Sequence, residues 1–125
     1  MSLVQLCRLE DITVPGAIEL SWGEGDWPLS FFVVRIDGEV YGYLNRCPHA
    51  GHELNLRPND FLTREGDLIM CRSHGAQFRI DDGFCVAGPC PGTSLKSIGV
   101  DVVDGFVCAE RNELDRIVAV AQTRR

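Results

Sequence analysis

An antiparallel all-β fold is predicted by three features of the sequence. Asp-Gly pairs fall between apolar runs at Asp37-Gly38, Asp82-Gly83 and Asp104-Gly105; the runs they join are short and rich in β-branched and aromatic residues; and a helical pattern surfaces only near the C-terminal end. GAIELSW (16 to 22), FFVVRI (31 to 36) and EVYGYL (39 to 44) read as strands, the last two joined by Asp37-Gly38. DLIMC (67 to 71) and AQFRI (76 to 80) are shorter candidates, and Asp82-Gly83 turns the chain into FCV. LKSIGVDVV (95 to 103) then meets FVCAE (106 to 110) through Asp104-Gly105.

Two segments depart from this pattern. SWGEGDWP (21 to 28), with two Trp, two Gly and one Pro, reads as an aromatic-capped hairpin tip rather than a docking site. In NELDRIVAVAQTRR, Leu114, Ile117, Val118 and Ala121 recur at i, i+3, i+4 and i+7 behind a candidate cap, Asn112. That spacing predicts a short amphipathic helix over 111–125, which either folds back on the sheet or meets a partner. There is no internal repeat and no low-complexity stretch.

At 125 residues, 45% hydrophobic and 24% charged, the chain is sized for one compact domain with its own core. Its net charge of −6 and the absence of a basic cluster beyond Arg124-Arg125 argue against nucleic acid or an anionic membrane as partner. An acidic surface favours a basic protein instead. Arg8, Glu10 and Asp11 interrupt the N-terminal segment before a secretory signal can form, and no apolar run is long enough for a membrane helix. The expected location is the cytoplasm, where six cysteines read as metal ligands and buried thiols rather than as a disulfide framework.

The ligand candidates lie in two short loops. RCPHAGHELN (46 to 55) contains Cys47-x-His49, and after 21 intervening residues CRSH supplies Cys71-x-x-His74. Two loops side by side would present two thiolates and two imidazoles to one centre. A tetrahedral zinc accepts that set, and so does a 2Fe-2S cluster with two Cys on one iron and two His on the other. Zinc fingers pair like with like along the chain, whereas here each loop offers one Cys and one His, which favours the cluster.

The surrounding residues carry a resemblance. CPHAGHEL, CRSHGAQFRIDDG and GPCPG, in this order, resemble the Rieske iron–sulfur family, and among its members the soluble ferredoxins that supply electrons to ring-hydroxylating dioxygenases. The resemblance runs from about Leu3 to Glu110, so that 1–110 is expected to be the Rieske domain and 111–125 a helical tail. It implies antiparallel sheets in which a small cluster-binding unit, about residues 45 to 80, sits on a larger base. It also implies Cys47 and Cys71 on the inner iron, His49 and His74 on the outer iron, and Gly88-Pro89-Cys90-Pro91-Gly92 as a third loop covering the cluster, with Cys90 not a ligand.

Other residues have plainer readings. With four ligands supplied, His52 tunes solvation near the cluster. Cys7, Cys85 and Cys108 lie in strand-like runs as small buried hydrophobes, and a Cys85–Cys90 disulfide is the minor reading in a cytoplasmic chain. Asp81-Asp82-Gly83 is a turn without a pocket. The catalytic subunit of a Rieske oxygenase needs a further iron held by two His and a carboxylate, and with three His in the chain only His52 remains for it. No nucleophile with a base, phosphate loop or stacking groove is found, so no enzyme activity is expected.

The resemblance therefore implies a one-electron carrier with one 2Fe-2S cluster, placed between a flavin-dependent reductase and a terminal oxygenase. Two alternatives stand beside it: the small electron-transfer subunit of an assimilatory reductase such as nitrite reductase, and a zinc-stabilised interaction module.

Exchanging two thiolates for neutral imidazoles removes two negative charges about 5 Å from iron, each ~3 kcal/mol at an effective dielectric of about 20. For one electron that is roughly 0.3 V, a lift from about −400 mV toward the Rieske range of about −150 to +300 mV. High-potential members carry a serine after His-Gly, a tyrosine two places later, and a disulfide between the ligand loops. Those places hold Ala76 and Phe78, and His52 and Ser73. A midpoint near the lower end of the range is expected, and protein-film voltammetry returning a value well above zero would contradict it.

Overall fold

The computed structural model describes residues 2–23, 28–48, 52–89 and 92–123, the last three without their side chains. Ten strands form three antiparallel sheets. The first sheet joins β1 (Leu3–Arg8), β10 (Phe106–Glu110) and β9 (Val100–Val103), in that order. The second runs β2 (Gly16–Trp22), β3 (Leu29–Ile36), β4 (Glu39–Leu44), β8 (Ser97–Ile98). The third, smaller sheet is β5 (Leu68–Met70), β6 (Gln77–Arg79), β7 (Cys85–Ala87), and α1 (Arg111–Thr123) closes the chain.

β3 is the wall on which everything else rests. Phe31, Phe32, Val33 and Val34 are all 0% exposed, because successive side chains point to opposite faces and both faces are covered. Phe32 and Val34 enter the core that contains Cys47, Leu54, Phe61, Cys71 and Phe78. Phe31 enters a second core with Leu29, Ile98, Ala109 and Leu114, and Val33 a third with Ile12 and Val107.

Two aromatic contacts are among those that fasten the half carrying Cys47 and Cys71 to the second sheet. The rings of Phe32 and Phe61 stack at 4.1 Å between centroids and 8° between planes, and the buried Tyr43 hydroxyl donates to the Ile80 carbonyl. Burial, and after it the carboxylates of Asp82 and Asp81, raises the Tyr43 phenol pKa. It therefore remains a donor.

Most expected elements form, with instructive departures. Asp37 and Asp104 adopt φ of 51°, as two-residue hairpins require. The Asp82-Gly83 pair instead lies in a longer loop between β6 and β7, closed by Arg79 N–H to the Phe84 carbonyl at 2.9 Å. There Arg79 holds the Asp82 carboxyl below its usual pKa through hydrogen bonds of 3.0 and 2.6 Å, an exposed pair that adds little stability.

LKSIGVDVV is two strands in different sheets. Ile98 pairs with Gly42 while Val100 pairs with Ala109, and at the crossing Gly99 donates its N–H to Glu113 Oε1 of α1 at 3.0 Å. β1, left without boundaries by the sequence reading, pairs with β10 across the length of the chain. Trp22 and Leu29 end the β2–β3 ladder, in agreement with a hairpin over 21–28, although residues 24–27, Trp27 included, lie outside the described residues.

The helix forms as expected and folds back, but it starts one residue before the expected cap, placing Asn112 inside it. The Arg111 N–H is taken up by the Ser2 carbonyl at 2.9 Å, which satisfies one of the first-turn backbone donors. Leu114 is fully buried, Trp22 Nε1 donates to Asp115 at 2.8 Å, and the Arg111 guanidinium lies 5.1 Å from the Trp22 ring centre. Leu114→Ala is expected to cost about 2–4 kcal/mol in urea unfolding. Val120→Ala, at a 49% exposed position, should stay within about 0.5 kcal/mol.

Candidate metal centre

Cys47 and Cys71 are placed by matching backbone devices. The Cys47 N–H donates to the His52 carbonyl and the Cys71 N–H to the Ala76 carbonyl, both at 2.8 Å and both five residues ahead. Each loop is thus pinched shut behind its cysteine; His74 falls within the second pinch. In the second loop Gly75 sits at φ of 74° and returns its N–H to the Cys71 carbonyl at 3.0 Å, a reversal that glycine adopts without strain.

Cross-bonds hold the loops together. Arg72 N–H donates to the Leu54 carbonyl at 2.8 Å, while Leu54 N–H donates to the Asn45 side-chain oxygen at 2.9 Å. Asn45, a buried polar residue at 4% exposure, also donates through Nδ2 to Ser30 Oγ and to Asn55 Oδ1, at 3.1 and 2.9 Å. Asn55 in turn donates to Glu19 Oε1 at 2.9 Å, tying the first loop to β2 and β3. Arg72 bonds Asp60 at 2.7 Å and the Leu62 carbonyl, and its buried Nε has no partner among the described residues.

The third loop approaches the second closely. Gly88, at φ of 95°, lies so near Ala76 that a Cβ built on it would stand 2.6 Å from the Ala76 Cα, a distance only glycine permits. Pro89 and Gly92 flank Cys90 and Pro91, which lie outside the described residues, as do His49, Ala50 and Gly51. A Cys85–Cys90 bridge therefore falls outside them too.

Three of the four expected ligands are described. Cys47 and Cys71, 1% and 0% exposed, share one core, and His74 stands exposed on the second loop. The His52 and His74 rings are 6.3 Å apart between centroids, so the two loop tips are neighbours. The exposed His52 ring lies 3.0 Å through Nδ1 from the Glu53 carbonyl. Ala76 and Phe78 are buried and bring no hydroxyl to the cysteines.

The donor set fits a binuclear cluster better than a single ion. Zinc sites that draw on both residue types commonly pair Cys with Cys and His with His along the chain, whereas each loop here offers one of each; among the described residues, which leave out His49, no three His, Cys, Asp or Glu side chains gather about one point. Ligands divided between two irons, thiolates inward and imidazole outward, suit the observed split in burial.

A sequence model of the Rieske [2Fe-2S] domain matches residues 3–107. The chain belongs to the Rieske family. No curated protein matches it in sequence. Among solved structures, the Sphingomonas yanoikuyae B1 ferredoxin is similar at TM-score 0.67 and 26% identity, over 88% of this chain and 99% of that one. The ferredoxin of carbazole 1,9a-dioxygenase from Nocardioides aromaticivorans IC177 shares the fold at TM-score 0.67 and 22% identity, over 87% and 97%. A ferredoxin solved in complex with the oxygenase of carbazole 1,9a-dioxygenase does so at TM-score 0.66 and 22% identity, over 86% and 91%.

The four ligand candidates were evident from spacing, but their supports were not. Asn45, the polar residue ending the apolar run EVYGYL, is the one support with a sequence signal; Leu54 and Arg72 act through main-chain groups and leave none. Asn45→Ala leaves the Leu54 N–H without its acceptor and should cost about 1–3 kcal/mol in chemical unfolding. Iron release to a chelator should be faster in the same variant, since the first loop loses its tether.

Proposed function

We propose that this Rieske domain is a one-electron carrier holding one 2Fe-2S cluster per chain through Cys47, His49, Cys71 and His74, and that it passes electrons from a flavin-dependent reductase to a terminal oxygenase. The observation that carries the reading is the paired loop: two buried cysteines behind identical backbone closures, with His74 exposed beside them. The similarity to the Sphingomonas ferredoxin, and to a ferredoxin found in complex with a carbazole dioxygenase oxygenase, supports the choice of partner.

When bound, the cluster supplies a one-electron couple, and the protein supplies access and potential. The core around Cys47 and Cys71 excludes water from the thiolate side, where Leu54, Phe61 and Phe78 are all 0% exposed. His74 lies at the surface, so the imidazole side is the shorter path to a docked partner. No described helix is long and apolar enough to cross a membrane, and the proposed setting is the cytoplasm.

Purified protein should be red-brown, bleach with dithionite, and contain iron and acid-labile sulfide in equal amounts. A colourless preparation with stoichiometric zinc would overturn the reading. Cys47→Ser and Cys71→Ser should each lose the colour, whereas His74→Cys, if loaded, should shift the midpoint downward by roughly 0.15 V for the added thiolate. Reoxidation of the reduced protein by a terminal oxygenase, and not by an assimilatory nitrite reductase, decides between the two electron acceptors.

A further inference from the structure

A groove of about 560 Å³ separates the first ligand loop from α1. Cys47 and Pro48 form one flank, so whatever lies in it lies against the ligand loop itself. Leu44, Ile117 and Val120 give it an apolar surface. Arg46, Lys96 and Arg116 line it as well, and Lys96 is the sole lysine of a chain whose net charge is −6. Among the described residues these three side chains are in no salt bridge or hydrogen bond. The lining acid, Glu113, already accepts the Gly99 N–H.

The sign of charge is thus reversed here against the rest of the molecule, around an apolar cleft within the size range of binding sites. The wall carrying Arg116, Ile117 and Val120 is α1, which follows the residues matched to the Rieske domain; 99% of the Sphingomonas ferredoxin is covered by only 88% of this chain. The overall charge suggests a basic partner, but this groove suits the opposite.

We propose that the groove between α1 and the Cys47 loop receives a segment of a protein redox partner that presents carboxylates beside leucine-like side chains. The inference rests on the carrier reading and adds to it the chemistry of one partner's docking segment. Apolar side chains fill the cleft, carboxylates meet Arg46, Lys96 and Arg116, and the affinity falls as salt screens them.

The test is fluorescence anisotropy of the cluster-loaded protein with a short fluorescein-labelled peptide alternating Glu and Leu. Micromolar binding is expected, weakened about tenfold by Lys96→Glu combined with Arg116→Glu and also by Val120→Asp, all at exposed positions. Arg64→Glu, in a different surface depression, should bind as the parent does. A Gln-Leu peptide and a poly-Glu peptide of equal length should both bind more weakly. Absence of binding, indifference to the charge reversal, or equal competition by a single-stranded oligonucleotide would overturn the proposal. A variant with unchanged visible spectrum and lost peptide binding separates this groove from the cluster, and a protein that never takes up iron sinks the carrier reading instead.

Discussion

Leu54 is the residue on which the ligand-bearing end depends. Its N–H is held by Asn45, its carbonyl by the Arg72 N–H, and its side chain is 0% exposed in the core that also encloses Cys47 and Cys71. One residue thereby fixes the first loop to the base through Asn45 and Ser30 and the second loop to the first. The bonds at Leu54 lie in a buried setting where a lost partner is not replaced by water. These bonds tie the two segments that carry Cys47 and Cys71 to each other and to the base of one core.

Burial then divides the site into two unlike sides. The thiol side faces Phe61 and Phe78 and is dry; the imidazole side, represented by His74, is at the surface. For a carrier the arrangement is economical. On the proposed ligation, thiolate charge would lie where few mobile waters or ions respond to it, which would leave the potential to the ligands and nearby fixed groups. Ala76 and Phe78, both buried here, bring no hydroxyl to this side.

What was legible in the sequence was local. Asp37-Gly38 and Asp104-Gly105 announce hairpins because positive φ is demanded there, and Cys47, His49, Cys71 and His74 stand out as ligand candidates because their types and spacing are printed within a few residues. His49 lies outside the described residues, so three of that set can be placed. The rest was not local. β1 meets β10 across the whole chain, LKSIGVDVV changes sheets at Gly99, and Arg72 works through its main chain. No periodicity records such pairings, since they depend on what lies opposite after folding.

The helix shows how a redox domain can acquire a surface of its own without disturbing its centre. Leu114 packs in a core with Leu29, Phe31, Ile98 and Ala109, separate from the core of Cys47 and Cys71, although the two share β3 as a common wall. Alternation along that strand places Phe31 on one side and Phe32 on the other. The outer face of α1 is thus parted from the core of Cys47 and Cys71 by β3, and the groove lined by both Cys47 and Ile117 is a surface that the helix and the first loop share.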